Sequence, residues 1–169
     1  MPVLNPEHLL EQADRLMAPP GRGAPRQADL RRAISNAYYG VFHAVVTEAA
    51  DHFVGKTQRQ TPIYGLVYRS IEHRSLLRLC EGVKKATLPE RYSKHEPTGG
   101  FGSDLIALAI AVVDLQEKRL LADYDPLYRV GMSDAVLAVA TGRTALVRFR
   151  NANRARRKAF LSLLVFSPR

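Results

Sequence analysis

Between Arg26 and Val54 the apolar residues Leu30, Ile34, Ala37, Val41, Val45 and Ala49 recur at steps of three and four, and Phe42, Val46 and Phe53 widen the same stripe. Side chains at that spacing share one face of an α-helix, so a long helix is predicted here with a broad apolar side. Such a side has to be covered by other elements, which places the helix at the centre of a bundle. The opposite side carries Arg32, Asn36, Tyr39, His43 and Thr47 at the same steps. Tyr39 and His43, one turn apart, share a surface.

The neighbouring segments also read as helices. Asn5 and Pro6 suit the start of a helix running to about Met17. Residues 18–25, rich in Pro and Gly, form a break. A third helix is predicted over about Ile63 to Lys85, with Val67, Ile71 and Cys80 facing inward. Leu88 to Gly102 reads as a long loop and the best place for mobility. Ser103 and Asp104 suit the cap of a fourth helix reaching about Leu121, which Asp123-Tyr124-Asp125-Pro126 ends. Ser133 is the expected cap of a fifth helix from about Asp134 to Asn153 or beyond. Neither repeats, nor a heptad seam, nor alternating strands stand out. The fold class is therefore all-α, a helical bundle.

Of 169 residues, 46% are apolar and 24% charged, as in ordinary globular domains, which argues against a disordered chain. The longest clean apolar run, Leu105 to Val113, falls short of the ~18 residues a membrane span needs, so no membrane partner is expected. Asn5, Pro6, Glu7 and His8 do not resemble a secretory leader. Cys80 is the single cysteine and lies among leucines, so a buried thiol and a cytoplasmic location are the expectations.

The net charge is +9, and it is unevenly placed: Arg143 to Arg169 holds eight basic residues and no acidic one, leaving 17 basic against 16 acidic elsewhere. That balance favours an anionic partner such as RNA, DNA, a nucleotide or an acidic protein. Residues 1–150 are read as one domain, and 151–169 as a tail that is first basic, then apolar from Phe160 to Phe166. The tail packs either on the bundle or on a partner.

No two-His helical zinc pair, phosphate loop or nucleophile elbow is present; Gly99, Gly100 and Gly102 lack the strand and lysine that would give them meaning. No metal or cofactor is expected. Three features remain. The stripe Arg32, Asn36, Tyr39 and His43 suits either a hydrogen-bonded helix interface or a nucleotide or RNA site. Arg119 and Tyr124, at the end of the fourth helix, suit either a helix stop with Arg119 paired to Asp123 or Asp125, or a phosphate contact. The run Arg148, Arg150, Arg154, Arg156, Arg157 and Lys158 suits either a solvated face or a surface that neutralises phosphates.

The stretch from Leu30 to Ala44, with Ala37-Tyr38-Tyr39 and Phe42-His43, resembles the signature helix of HEPN domains, a nucleotide-binding family of higher eukaryotes and prokaryotes. Ala122-Asp123-Tyr124-Asp125 is similar to the late motif of one prokaryotic branch, with Arg119 at the matching distance before it. Together the motifs anchor about residues 5 to 150. The resemblance implies an antiparallel bundle of four or five helices and a symmetric homodimer. It also implies a toxin–antitoxin, phage-defence or stress setting, in which some relatives are paired with a small nucleotidyltransferase. Active HEPN ribonucleases cleave RNA without metal, using an Arg, a polar residue, a short spacer and a His. Here Leu120 follows Arg119 and Tyr124 stands where the His belongs. A tyrosine, with a pKa near 10, is a poor base at neutral pH.

Three functions are thus expected in descending order. The first is a module that binds RNA, a nucleotide or a protein, using Arg32, Asn36, Tyr39, His43, Arg119, Arg154, Arg156 and Arg157, with Arg119, Tyr124 and His43 the candidates for any chemistry. The second is a metal-independent endoribonuclease toxin. The third is a structural dimer whose basic surface holds an acidic antitoxin.

Overall fold

The apolar stripe of residues 30–49 forms the axis of the molecule. In the computed structural model, which describes residues 4–18, 21, 23–85 and 87–166, α2 spans Gln27–Phe53 and buries Leu30, Ile34, Ala37, Val41, Val45 and Ala49. Around it lie α1 (Pro6–Met17), α3 (Pro62–Ser70), α4 (His73–Lys84), α5 (Glu90–Ser93), α6 (Gly102–Tyr124), α7 (Met132–Asn151) and α8 (Arg154–Val165), with a 3-10 turn at Lys56–Gln58. The described residues contain no strand, and no helix among them is long and apolar enough to cross a membrane. Pro19, Pro20 and Arg22 of the predicted break, and Arg169 of the basic tail, lie outside the described residues.

Side-chain pairs between helices define the directions. Glu7 meets Arg150 and Asp14 meets Arg143, so α1 and α7 run antiparallel. Asn36 bonds Gln12 while Gly40 lies against Pro6, which sets α2 antiparallel to α1. Ser35 meets Asp123 and Tyr39 meets Arg119, setting α6 antiparallel to α2. Asp104 meets Arg148, which closes the ring of four between α6 and α7. Two glycines allow the closest approach. A methyl group on Gly142 would stand 3.2 Å from the Ala37 carbonyl and 3.3 Å from Leu10, and one on Gly40 would stand 3.3 Å from Leu10.

Several predicted boundaries are corrected. The single helix expected over 63–85 is two, α3 and α4, because Ile71 is extended (φ −89°, ψ 114°) and buries its side chain in the core. No Pro or Gly marks this break; packing imposes it. The loop 88–102 contains α5, and it buries Tyr92 and Phe101. The fourth predicted helix starts at Gly102, and Asp104 pairs with Arg148 rather than capping. The fifth starts at Met132, where Oδ2 of Asp134 accepts the Gly131 N–H at 2.9 Å in place of a Ser133 cap. It ends at Asn151. Asn153 then starts α8, its Oδ1 accepting the N–H groups of Ala155 and Arg156 at 3.0 and 3.2 Å.

Residues 151–166 differ from the rest in composition but not in packing. Phe160, Leu161, Leu163 and Leu164 of α8 are buried in the same core as α2, α4 and α6. Phe160 also meets Phe101 edge to face, with centroids 6.2 Å apart. Cys80 is wholly buried in that core, and burial pushes its thiol pKa up, so it is no nucleophile.

Candidate functional site

The antiparallel register of α2 and α6 sets Arg31, Ser35 and Tyr39 opposite the last turns of α6. A helix leaves its final carbonyls without partners, and Arg31 supplies a donor to one of them and to two carbonyls just beyond the helix end. Its Nε donates to Ala122 O at 2.7 Å, Nη2 to Asp125 O at 2.5 Å and Nη1 to Tyr128 O at 3.2 Å. One turn on, Ser35 Oγ donates to Asp123 Oδ1 at 2.5 Å, and Asp123 Oδ2 lies 2.9 Å from Nε of Arg119. That Nε forms no well-aligned hydrogen bond, so charge holds the pair.

Arg119 is the centre of the cluster. Its Nη2 donates to Tyr39 Oη at 2.5 Å, and its guanidinium lies 5.2, 5.5 and 5.9 Å from the ring centres of Tyr39, Tyr124 and Tyr38. Such cation–π contacts strengthen where water is excluded, and this side chain is only 11% exposed. Desolvation pulls the Arg119 pKa down, but the Tyr39 hydrogen bond and the charges of Tyr39, Asp123 and Tyr124 outweigh it and raise the value. The guanidinium is a permanent cation.

Two imidazoles flank Tyr39. His73, the first residue of α4, has Nδ1 2.8 Å from Tyr38 Oη and its ring 3.8 Å from the Phe42 ring. His43 has Nδ1 2.7 Å from Tyr68 Oη. Burial lowers the pKa of both, and for His73 the nearby charges of Arg119 and His43 lower it further. Burial raises the pKa of Tyr38 and Tyr68. At neutral pH the site therefore holds two uncharged imidazoles, each steered through Nδ1 by a neutral tyrosine, beside one fixed positive charge. That arrangement offers hydrogen bonds to an anionic group and proton acceptors of modest basicity. No group of three His, Cys, Asp or Glu side chains that could hold a metal occurs among the described residues.

The structure brings together Tyr39, His43, Arg119 and Tyr124 of the sequence candidates and separates the others. Arg32 is exposed on the next face of α2. Asn36 is fully buried, its Nδ2 donating to Gln12 Oε1 at 3.0 Å, so it serves the α1–α2 interface. Arg154, Arg156 and Arg157 lie on α8, near the far end of α2. Arg157 caps α7 through Phe149 O and Arg150 O at 3.2 and 2.9 Å and lies 3.6 Å from Glu48, while Arg156 reaches Gly99 O at 3.5 Å. Four members of the cluster are not among the sequence candidates: Arg31 and Tyr38, which lie inside the Leu30 to Ala44 stretch, and Tyr68 and His73, which lie outside any motif. Arg69 and His73 look like a one-turn pair in sequence, but they sit on different helices, α3 and α4.

No protein-family model, no curated protein and no solved structure matches the chain.

Proposed function

We propose that this chain is an HEPN-like helical module that binds RNA or a nucleotide through phosphate, in a prokaryotic toxin–antitoxin or stress-defence setting, without efficient cleavage. The observation that carries this reading is Arg119, a permanent cation clasped by Tyr39, Tyr38 and Asp123 beside Tyr124, which is 69% exposed. A guanidinium oriented in advance binds phosphate at low entropic cost. Tyr124 offers a hydroxyl and a ring to a nucleotide but no base for neutral pH. Incubation of the pure protein with labelled RNA, with and without chelator, tests it: salt-dependent binding without products supports the proposal, and chelator-resistant cleavage abolished by Arg119→Ala overturns it.

A specific observation favours a second reading, the metal-independent endoribonuclease. His43 and His73 are neutral imidazoles within the Arg119 cluster, and general acid–base catalysis contributes typically about 10²- to 10⁴-fold. Cleavage lost in His73→Asn or His43→Asn selects that reading. The exposed apolar side chains Ile110 on α6 and Val136, Leu137 and Val147 on α7 support a further part of the proposal, a homodimer or a protein partner such as an antitoxin or a small nucleotidyltransferase. Light scattering over a range of concentrations checks the dimer, and a concentration-independent monomer removes it.

A further inference from the structure

We infer that the cleft between the C-terminal end of α2 and the first turns of α8 is a second phosphate-binding surface, built for a single strand of RNA, with Lys56, Arg154 and Lys158 as its charges. This rests on the proposal that the chain binds a phosphate ligand, and it adds a surface well away from Arg119.

The cleft has a volume of about 930 Å³ and is lined on one side by α2 and on the other by α8. Gly55, at φ 106°, turns the chain back after α2 and sets Lys56 on the rim. Two acids also line the cleft, but arginines already hold them. Asp51 takes Arg59 Nε and Nη2 at 2.8 and 2.5 Å and the Tyr64 hydroxyl at 3.0 Å. Glu48 lies 3.6 Å from Arg157. Among the described residues, Lys56, Arg154 and Lys158 have no carboxylate within ion-pair distance, and all three are exposed.

That is where the excess charge of the last helix goes. Arg143, Arg148, Arg150 and Arg157 find Asp14, Asp104, Glu7 and Glu48 on other helices, so only part of the basic run is available to a ligand. Exposed cations on both walls of an open cleft suit a chain of phosphates rather than a single one, because successive phosphates of one strand can each meet a cation, and each contact adds its own counterion release. His52 lines the same cleft and is exposed, which gives a base an aromatic ring to stack on.

The test is fluorescence anisotropy with a labelled oligouridine of about 20 nucleotides and with labelled ATP, between roughly 50 and 200 mM salt. Four proteins are compared: wild type, K56Q/R154Q/K158Q, an equally discharged control R74Q/R78Q/R129Q taken from exposed positions elsewhere, and R119A. The cleft variant is expected to bind the oligonucleotide about tenfold more weakly or worse, with its salt slope reduced by roughly 2, from ~0.7 per lost contact on a single strand. The control is expected to stay within about threefold of wild type. Equal losses in the two triple variants would mean that only overall charge matters, and the cleft assignment falls. A loss in R119A with none in the cleft variant leaves the Arg119 proposal standing and overturns this one. Loss of ATP binding to the same degree as RNA overturns the strand assignment, and a wild type that binds neither probe removes both proposals. Unchanged circular dichroism melts in the cleft variant exclude misfolding as the cause of any loss.

Discussion

The end of α6 and the start of α8 both present arginines, and they use them in opposite ways. At α6, Arg31 and Arg119 are turned inward: one closes the helix carbonyls, the other lies among tyrosines with Asp123 at its side. At α8, Arg154 and Lys158 stand in water without an ion pair, the acids of their cleft being held by Arg59 and Arg157. Oriented, desolvated charge fixes geometry, whereas hydrated charge supplies long-range attraction that salt screens. A ligand touching both regions would be drawn in by α8 and positioned at α6. The net charge alone cannot divide these roles, since both ends contribute equally to it.

The largest expected effect separates the two faces of α8. Phe160 is fully buried, so Phe160→Ala is expected to cost about 3–5 kcal/mol, while Arg154→Gln on the same helix changes stability by less than about 0.5 kcal/mol. Urea midpoints measure both. A Phe160→Ala midpoint equal to wild type would detach α8 from the core. Next comes the α6 end. Arg31→Ala removes charged hydrogen bonds to the carbonyls of Ala122, Asp125 and Tyr128, of which only that of Asp125 also takes a backbone N–H, from Tyr128, and a loss of about 2–3 kcal/mol is expected. Arg119→Ala is expected to weaken RNA binding more than Tyr124→Phe does. Equal effects would show that the guanidinium serves only the fold.

How much of this was legible beforehand depends on whether the signal was local. The α2 stripe, the Asn5 cap and the stop at Asp123 to Pro126 are properties of adjacent residues, and each is realised. The break at Ile71 is not local: an apolar residue at helical spacing reads as helix interior, and only the packing of its neighbours makes it extended. For the same reason His73 was hidden, because its importance comes from Tyr38 and Phe42 across the α2–α4 contact. Arg31 was hidden beside Arg32, since a chain read in one dimension cannot tell which of two adjacent arginines turns toward α6. The basic tail misleads in the opposite direction. It has no acid in its own sequence, yet four of the arginines in the run from Arg143 onward are paired with acids on distant helices.

A moderate effect is expected from pH. His43 and His73 have pKa values below the ordinary 6.5 in the folded chain, so the unfolded chain binds protons first as pH falls. Their contribution to stability is therefore complete above about pH 6.5 and is lost as pH drops from there toward the folded values. The urea midpoint is expected to fall between about pH 7 and pH 5, and the fall should shrink in H43N/H73N. A midpoint with the same pH dependence in that variant would show that carboxylates, not the imidazoles of the Arg119 cluster, govern the acid limb.

The smallest effect tests whether the path of an anionic ligand extends from the α8 cleft along α7. Arg148 and Arg150 belong to the same basic run as Arg154, but they are held by Asp104 and Glu7. Both pairs are largely in water, with the Arg150 side chain 59% exposed, so each contributes no more than about 0–1 kcal/mol to stability. For a phosphate to use either arginine, it would have to displace a carboxylate and leave that acid facing the ligand, so each contact is worth less than one to an unpaired cation of the cleft. R148Q/R150Q is therefore expected to shift the urea midpoint by under about 1 kcal/mol and oligonucleotide affinity by less than about threefold, although it removes two positive charges. A loss of affinity as large as that of K56Q/R154Q/K158Q would place the strand along α7 and show that the ion pairs to α1 and α6 open when RNA arrives.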